Sequence, residues 1–297
     1  MIISDKSPEK KRADFRKALN SGKLLQFPGA YNPMVAMLIQ QTGFDGVYVS
    51  GAVMANSLGL PDIGMTTLTE VSQTASGIAR VTDLPTIMDI DTGFGETMSV
   101  ARTVKELTYL GLSGCHIEDQ VNPKRCGHLD NKELVSISAM VQKVKAAADA
   151  KTDPNFLLIA RTDARAAEGL DAAINRAKAY VDAGADMIFP EAMKDESDFE
   201  AFRKAIDVPL LANMTEFGKS RLLSKSELEN LGYNLVIYPV TTQRLAMKAV
   251  EDGLNTIKKV GTQESILDNM QTRKRLYEVL HYEDYNAYDS SLYNFNL

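Results

Sequence analysis

The chain has 297 residues, 44% of them hydrophobic and 24% charged, with a formal net charge of −6. That length suits one large α/β barrel or two smaller domains, and the acidic balance argues against nonspecific nucleic-acid binding. No apolar run approaches the ~18 residues that cross a bilayer.

The stretch from Met1 to Arg16 is charged and lacks the apolar core of a secretory signal. Cys115 and Cys126 are the only cysteines and make no disulfide framework, so a reducing cytoplasm is the expected setting. Nothing Pro/Gly/Ser-rich marks a boundary, and a single domain over 1–297 is expected. In chain order, apolar β-branched runs fall at 24–27, 46–49, 85–88, 114–117, 156–160, 186–189, 208–211 and 235–238. Helical patterns lie between most of them. Leu68, Val71, Ala75 and Ile78 share one face, as do Val100, Val104 and Leu107 before Gly111, and Ala173, Ala177, Tyr180 and Val181 before Gly184. Buried parallel strands alternating with amphipathic helices imply right-handed crossovers. Eight such units predict an α/β fold of the (β/α)8 barrel type, with a doubly wound open sheet as the alternative.

The strand ends are polar. The second ends in Ser50-Gly51, the third in Asp89-Ile90-Asp91-Thr92-Gly93-Phe94-Gly95, and the fourth in Glu118-Asp119. The fifth ends in Arg161-Thr162-Asp163, the sixth in Pro190-Glu191, the seventh in Asn213-Met214-Thr215 and the eighth in Pro239. In a barrel these C-terminal ends meet at the face that carries the active site. Carboxylates from the third, fourth and sixth strands should therefore surround one point, with Arg161 and Asn213 across from them. Polar caps after strands are common, so no single end carries this reading; seven of eight together do.

Asp89 and Asp91 are two apart, so both side chains leave one side of the strand. Two carboxylates on one face repel unless a cation lies between them. With Glu118 from the next strand, the oxygen-only set suits Mg²⁺ or Mn²⁺; otherwise both would merely cap the turn at Gly93 and Gly95. The loop after the fourth strand holds Lys124, Arg125, Cys126, Gly127 and His128. Nearby cations stabilise a thiolate, and such a loop can also bind carboxylates. Cys115, inside the strand, reads as apolar filler. Arg161 can hold a substrate carboxylate with paired hydrogen bonds. Tyr48 reads either as core or as an acid/base beside the metal.

These segments, together with Ser57-Leu58-Gly59-Leu60-Pro61-Asp62, Ala160-Arg161-Thr162-Asp163-Ala164, Phe189-Pro190-Glu191-Ala192, Leu211 to Gly218 and Met270-Gln271-Thr272-Arg273, carry a resemblance. In family order over about 24–285, the chain resembles the isocitrate lyase and phosphoenolpyruvate mutase superfamily, in its 2-methylisocitrate lyase branch. Lys124-Arg125-Cys126-Gly127-His128 is the most specific signature. The resemblance implies a barrel whose C-terminal helices swap between subunits of a homotetramer, with a helical extension over about 261–297. It implies a Mg²⁺-dependent carbon–carbon lyase acting on a small tricarboxylate and releasing pyruvate and succinate, as in propionate catabolism through the 2-methylcitrate cycle. Lyases for isocitrate or 2,3-dimethylmalate are the alternatives, because a pocket discriminates one methyl by only ~1–3 kcal/mol.

In family terms Asp89, Asp91 and Glu118 match the metal shell, and Ser50, Gly51 and Asp62 the pyruvate half. Arg161 matches a carboxylate binder, and Lys124, Arg125, Gly127 and His128 the mobile loop. Glu191, Asn213 and Thr215 match the succinate side, Arg244 a late substrate-binding arginine, Tyr48 a base and Cys126 the general acid. Gly51-Ala52-Val53-Met54 departs from the longer glycine run of some relatives. A Lys Schiff base lacks an inner-strand lysine on the sixth strand, and a catalytically silent scaffold would have lost Asp89, Cys126 or Arg161.

Overall fold

The computed structural model describes residues 4–125, 127 and 132–293. Helix α1 (Pro8–Leu19) is followed by β1 (Leu25–Pro28), α2 (Pro33–Thr42), β2 (Val47–Val49), α3 (Gly51–Ser57), α4 (Leu68–Arg80) and β3 (Thr86–Asp89). Next come α5 (Thr97–Tyr109), β4 (Gly114–Glu118), α6 (Ile137–Asp149), β5 (Leu157–Thr162), α7 (Ala164–Ala167), α8 (Leu170–Asp182) and β6 (Met187–Pro190). The chain ends with α9 (Glu196–Ala205), β7 (Leu211–Asn213), α10 (Lys225–Asn230), β8 (Leu235–Tyr238), α11 (Thr241–Val260), a 3₁₀ turn (Glu264–Asn269), α12 (Arg273–Val279) and α13 (Tyr282–Tyr293). Every strand is thus followed by a helix.

Strands β2 to β6 form one parallel ladder, and β7, β8 and β1 form another. Two seams join them through isolated parallel bridges, Gly29 to Tyr48 and Ile188 to Leu210. There Ala30 N–H donates to Tyr48 O at 2.9 Å and Ile188 N–H to Pro209 O at 3.1 Å. The strands therefore follow one another in chain order around a ring, and the open doubly wound sheet is set aside. The largest departure from the sequence reading is β7, expected at 208–211 but starting at Leu211. Pro209 has no N–H to donate to a ladder.

Alternation along the strands separates two cores. Val47, Val49, Met88, Cys115, Ile117, Leu158, Ala160 and Ile188 pack outward under the helices. Leu25, Phe27, Tyr48, Ile87, Leu157, Ile159, Met187, Phe189, Leu211, Leu235 and Ile237 fill the ring, with Phe15 and Leu19 of α1 packed against them. A Cβ at Gly46 would lie 2.1 Å from the Phe27 ring, so only glycine leaves that ring its space. Continuing each inward series by two residues toward the strand's C-terminal end gives Asp89, Glu118, Arg161, Glu191 and Asn213. The apolar plug and the polar site are two storeys of one inward face.

Helix α11 has no buried residue. Leu245, Met247, Val250, Leu254, Ile257 and Val260 along it are exposed. Arg275 on α12 donates to Gln41 Oε1 at the end of α2 at 2.8 Å. Among the described residues, no helix is long and apolar enough to cross a membrane.

Candidate active site

Three strand ends build one wall. Asp89 closes β3, and the carboxylate is held by backbone: Gly51 N–H donates to Oδ2 at 3.2 Å and Asp91 N–H to Oδ1 at 2.9 Å. A Cβ on Gly51 would lie 2.9 Å from both Asp89 Oδ2 and Asp91 Oδ1, so the start of α3 can approach the pair only as glycine. Tyr48 Oη lies 2.7 Å from His116 Nε2, the two rings being stacked with centroids 5.8 Å apart. His116 Nδ1 stands 3.7 Å from Asp89 Oδ1. We assign the proton to Nδ1, facing the carboxylate, so Nε2 accepts the Tyr48 O–H. Burial pulls the His116 imidazole down to about 4, against the opposing pull of Asp89. Burial, then Asp89, pushes the Tyr48 phenol well above its ordinary range. Both rings are therefore neutral near pH 7, and Tyr48 keeps its proton.

The carboxylates repel as expected. Burial and Asp89 push Asp91 up to about 6, against Lys124. Burial also works against the charge on Asp89, but His116, Lys124 and Arg161 more than offset it and hold that carboxyl low. Lys124 Nζ pairs with Asp91 Oδ1 at 2.8 Å and with Asp62 Oδ1. Its ammonium is raised because Glu118, Asp91, Asp89 and Asp62 outweigh burial.

Arg161, 7% exposed, stands at the end of β5 in register with Glu118 of β4 and continues this wall rather than facing it. Nε lies 2.9 Å from Asp163 Oδ2 and 3.3 Å from Glu118 Oε2, and Nη1 lies 3.2 Å from Glu191 Oε2. The guanidinium sits 5.2 Å from the Phe189 ring centroid. Asp163, Glu191 and Glu118 outweigh burial and keep it charged. Asn213 Nδ2 donates to Glu191 Oε2 at 3.3 Å. Burial raises Glu118 well above its usual range, with Arg161 opposing, and its Oε1 has no hydrogen-bond partner among the described residues.

A cavity at these strand ends is lined by Tyr48, Ser50, Asp62, Asp89, Lys124, Gly127, Arg161, Glu191, Asn213 and Thr215, with Ala52, Phe189, Pro239 and Val240. Ten residues singled out from sequence thus share one space. Gly51, Asp91 and Glu118 do not line it, and Asp91 borders a neighbouring cavity with Gly64, Thr92 and Asn122. Arg125 lies on the loop's outer side, its N–H donating to Gln120 Oε1 at 2.9 Å. Arg244 does not reach the cavity: it pairs with Glu216 Oε2 at 3.0 Å and covers the Phe217 ring. Cys126 and His128 lie outside the described residues. His116 and Asp163 went without a role in the sequence reading. The signal for His116 was there, since it shares the inward parity of Glu118.

Among the described residues, no three His, Cys, Asp or Glu side chains already converge as a closed metal cage. The donor set still fits a hard cation held by one or two carboxylates and completed by water and substrate. It is all oxygen, buried, and carries the Asp89–Asp91 repulsion that a divalent charge would relieve.

A ring of eight β/α units with carboxylates and a buried arginine gathered at the C-terminal ends of its strands is the arrangement of barrel enzymes. Residues 15–258 match the phosphoenolpyruvate phosphomutase family, and the chain belongs to it. It is 60% identical to the probable 2-methylisocitrate lyase 1 of Corynebacterium glutamicum, over 96% of this chain and 94% of that one. It is 46% identical to the 2-methylisocitrate lyase of Bacillus subtilis, over 98% and 96%. Among solved structures, 2,3-dimethylmalate lyase superposes with a TM-score of 0.89 at 31% identity, covering 95% of each chain. Phosphonopyruvate hydrolase in complex with oxalate and Mg²⁺ superposes at 0.86 and 31%, over 94% of this chain and 98% of that one.

Proposed function

We propose that this lyase cleaves 2-methylisocitrate to pyruvate and succinate, with Mg²⁺ bound at Asp89 and Asp91 and with Glu118 beside them; Mn²⁺ suits the same oxygen donors. The observation that carries the reading is the cavity's mixed charge. Asp89, Asp62 and Lys124 share it with Arg161, and Glu191 with Asn213 borders it further round the ring. A tricarboxylate has charge to meet both cations and a hydroxyl to place at the acidic wall. When bound, the metal would supply fixed positive charge that polarises the oxygens of the α-hydroxy acid half and stabilises charge developing there.

This chain's own residues do the rest. Ser50, Gly51 and Asp62 bracket the pyruvate half, and Arg161 holds a carboxylate by paired hydrogen bonds. The substrate hydroxyl gives up its proton, its C–O bond becomes the ketone of pyruvate, and the neighbouring carbon–carbon bond breaks. The electron pair passes to the succinate half as an aci-carboxylate. Because Tyr48 is protonated, it serves as base only by taking that proton while handing its own to His116 Nε2, whose new charge would face Asp89. Cys126 then protonates the carbon as general acid, with Lys124, Arg125, Gly127 and His128 holding the loop over the substrate so that water is excluded. Glu191, Asn213 and Thr215 contact the succinate half. We further infer one barrel domain extended by helices beyond about 261, exchanged between subunits of a cytoplasmic homotetramer. The apolar stripe on α11 supports that exchange, and Arg244, on the same helix, would complete the site through assembly.

The test is product formation from 2-methylisocitrate and, separately, isocitrate, with Mg²⁺ and with excess EDTA. Pyruvate from the first, little glyoxylate from the second and silence in EDTA are expected. Glyoxylate as main product would reassign the substrate, and activity surviving EDTA would overturn the metal.

A further inference from the structure

We propose that Lys132 is a positioning residue for this reaction, a buried clasp that ties the loop carrying Lys124 and Gly127 to the carboxylate orienting Arg161; the proposal rests on the lyase reading above. The Lys132 side chain is 2% exposed and its ammonium lies 2.8 Å from Asp163 Oδ1. The same ammonium donates to the Gly127 carbonyl. A lysine taken out of water costs stability unless it is paired, and among the described residues these two acceptors hold it. Neither Lys132 nor Asp163 lines the cavity, so both act through others.

Asp163 is divided between two cations. Its Oδ2 accepts Arg161 Nε at 2.9 Å, and its Oδ1 accepts Arg161 Nη2 at 3.1 Å as well as the Lys132 ammonium at 2.8 Å. Burial works against the Asp163 charge, but Arg161 and Lys132 more than offset it. Asp163 is anchored from behind: its N–H donates to Asp119 Oδ1 at 2.9 Å, while Thr162 Oγ1 and Tyr180 Oη each donate to Asp119 Oδ2 at 2.8 Å. The clasp therefore has a fixed base in the barrel wall.

Its other end is the loop. A Cβ on Gly127 would lie 2.4 Å from Arg161 Nη2 and 2.5 Å from Glu191 Cγ. The Gly127 backbone rests directly on the guanidinium. Lys124, pinned by Asp62 and Asp91, fixes one point of the loop, and Lys132 fixes Gly127. Removing the ammonium frees the Gly127 carbonyl and leaves Asp163 to draw Arg161 away from Glu118 and Glu191. A displacement of an ångström in such a group can cost ~10²-fold in rate.

The experiment compares wild type, Lys132→Met and Lys132→Arg in the full-length protein. Amide hydrogen exchange is read first, without substrate or metal. In Lys132→Met, exchange should accelerate across residues 120–127 and stay unchanged in β7 and β8, while Lys132→Arg restores part of the protection. With 2-methylisocitrate and Mg²⁺, kcat should fall ~10–100-fold in the Met variant with KM little changed, and recover partly in Lys132→Arg. Unchanged exchange over 120–127, acceleration throughout the barrel, or wild-type kcat in Lys132→Met would each overturn the clasp. If wild type itself cleaves no 2-methylisocitrate, the lyase reading fails on its own, and the substrate-free exchange still decides the clasp.

Discussion

Asp91 shows how one residue can be wrong for a folded chain and right for a bound ion. It is 6% exposed, has a positive φ of 47°, and is pushed up to about 6 by burial and by Asp89. Such strain and repulsion persist where the surroundings enforce them. Calorimetry with and without Mg²⁺ should show a rise in Tm for wild type, because a ligand of the native state stabilises it by mass action. In Asp91→Asn that rise should shrink or vanish; an equal rise would remove Asp91 from the metal site. Cys126→Ser should retain a wild-type circular dichroism spectrum and Tm yet lose at least ~10² in kcat, the lower end for a positioned general acid. Near-normal turnover would end its role as acid. The sequence flagged both residues through chemistry, two carboxylates at an interval of two and a thiol among cations. It could not reveal that Arg244 turns to Glu216, a contact between the ends of different β/α units.

At the scale of elements, α1 closes the barrel floor and carries an unusual lysine. Lys11 is 3% exposed and donates to Ala79 O near the end of α4 at 2.9 Å. Burial lowers its ammonium from 10.5 to about 8, with Asp83 opposing. Between those values the unfolded chain binds more protons than the folded one, so this group makes stability rise with pH from about 8 to 10.5. Lys11→Met removes that dependence. Its Tm relative to wild type should therefore be more favourable at pH 7.5 than at pH 10; an equal difference at both would show that Lys11 does not titrate in this window. The apolar runs with polar C-terminal ends were legible in the sequence and are the reason the site could be placed at the ring's mouth. Strand β7 was misread because an apolar run containing Pro209 looks like a strand until its missing N–H is set against a neighbour.

The whole molecule leaves one face unexplained by a single chain. Leu254 is 62% and Val250 50% exposed on α11, and contiguous apolar surface of this kind marks an association site. We expect wild type to sediment as a tetramer and Leu254→Lys to shift it toward smaller species with activity lost in parallel. A monomeric, active wild type would refute the exchange of helices.

Written in the sequence were the number and order of the β/α units, the place of Asp89, Glu118, Arg161, Glu191 and Asn213 at the C-terminal ends of strands, and the chemistry of the loop from Lys124 to His128. These are properties of periodicity and residue type, written along the chain. Only the tertiary structure decided that Tyr48 meets His116 across 68 residues, that Asp163 is shared by Arg161 and Lys132, and that Gly127 rests on the guanidinium. Such contacts depend on the stagger of neighbouring strands and on the closing of the ring, and no local pattern encodes either.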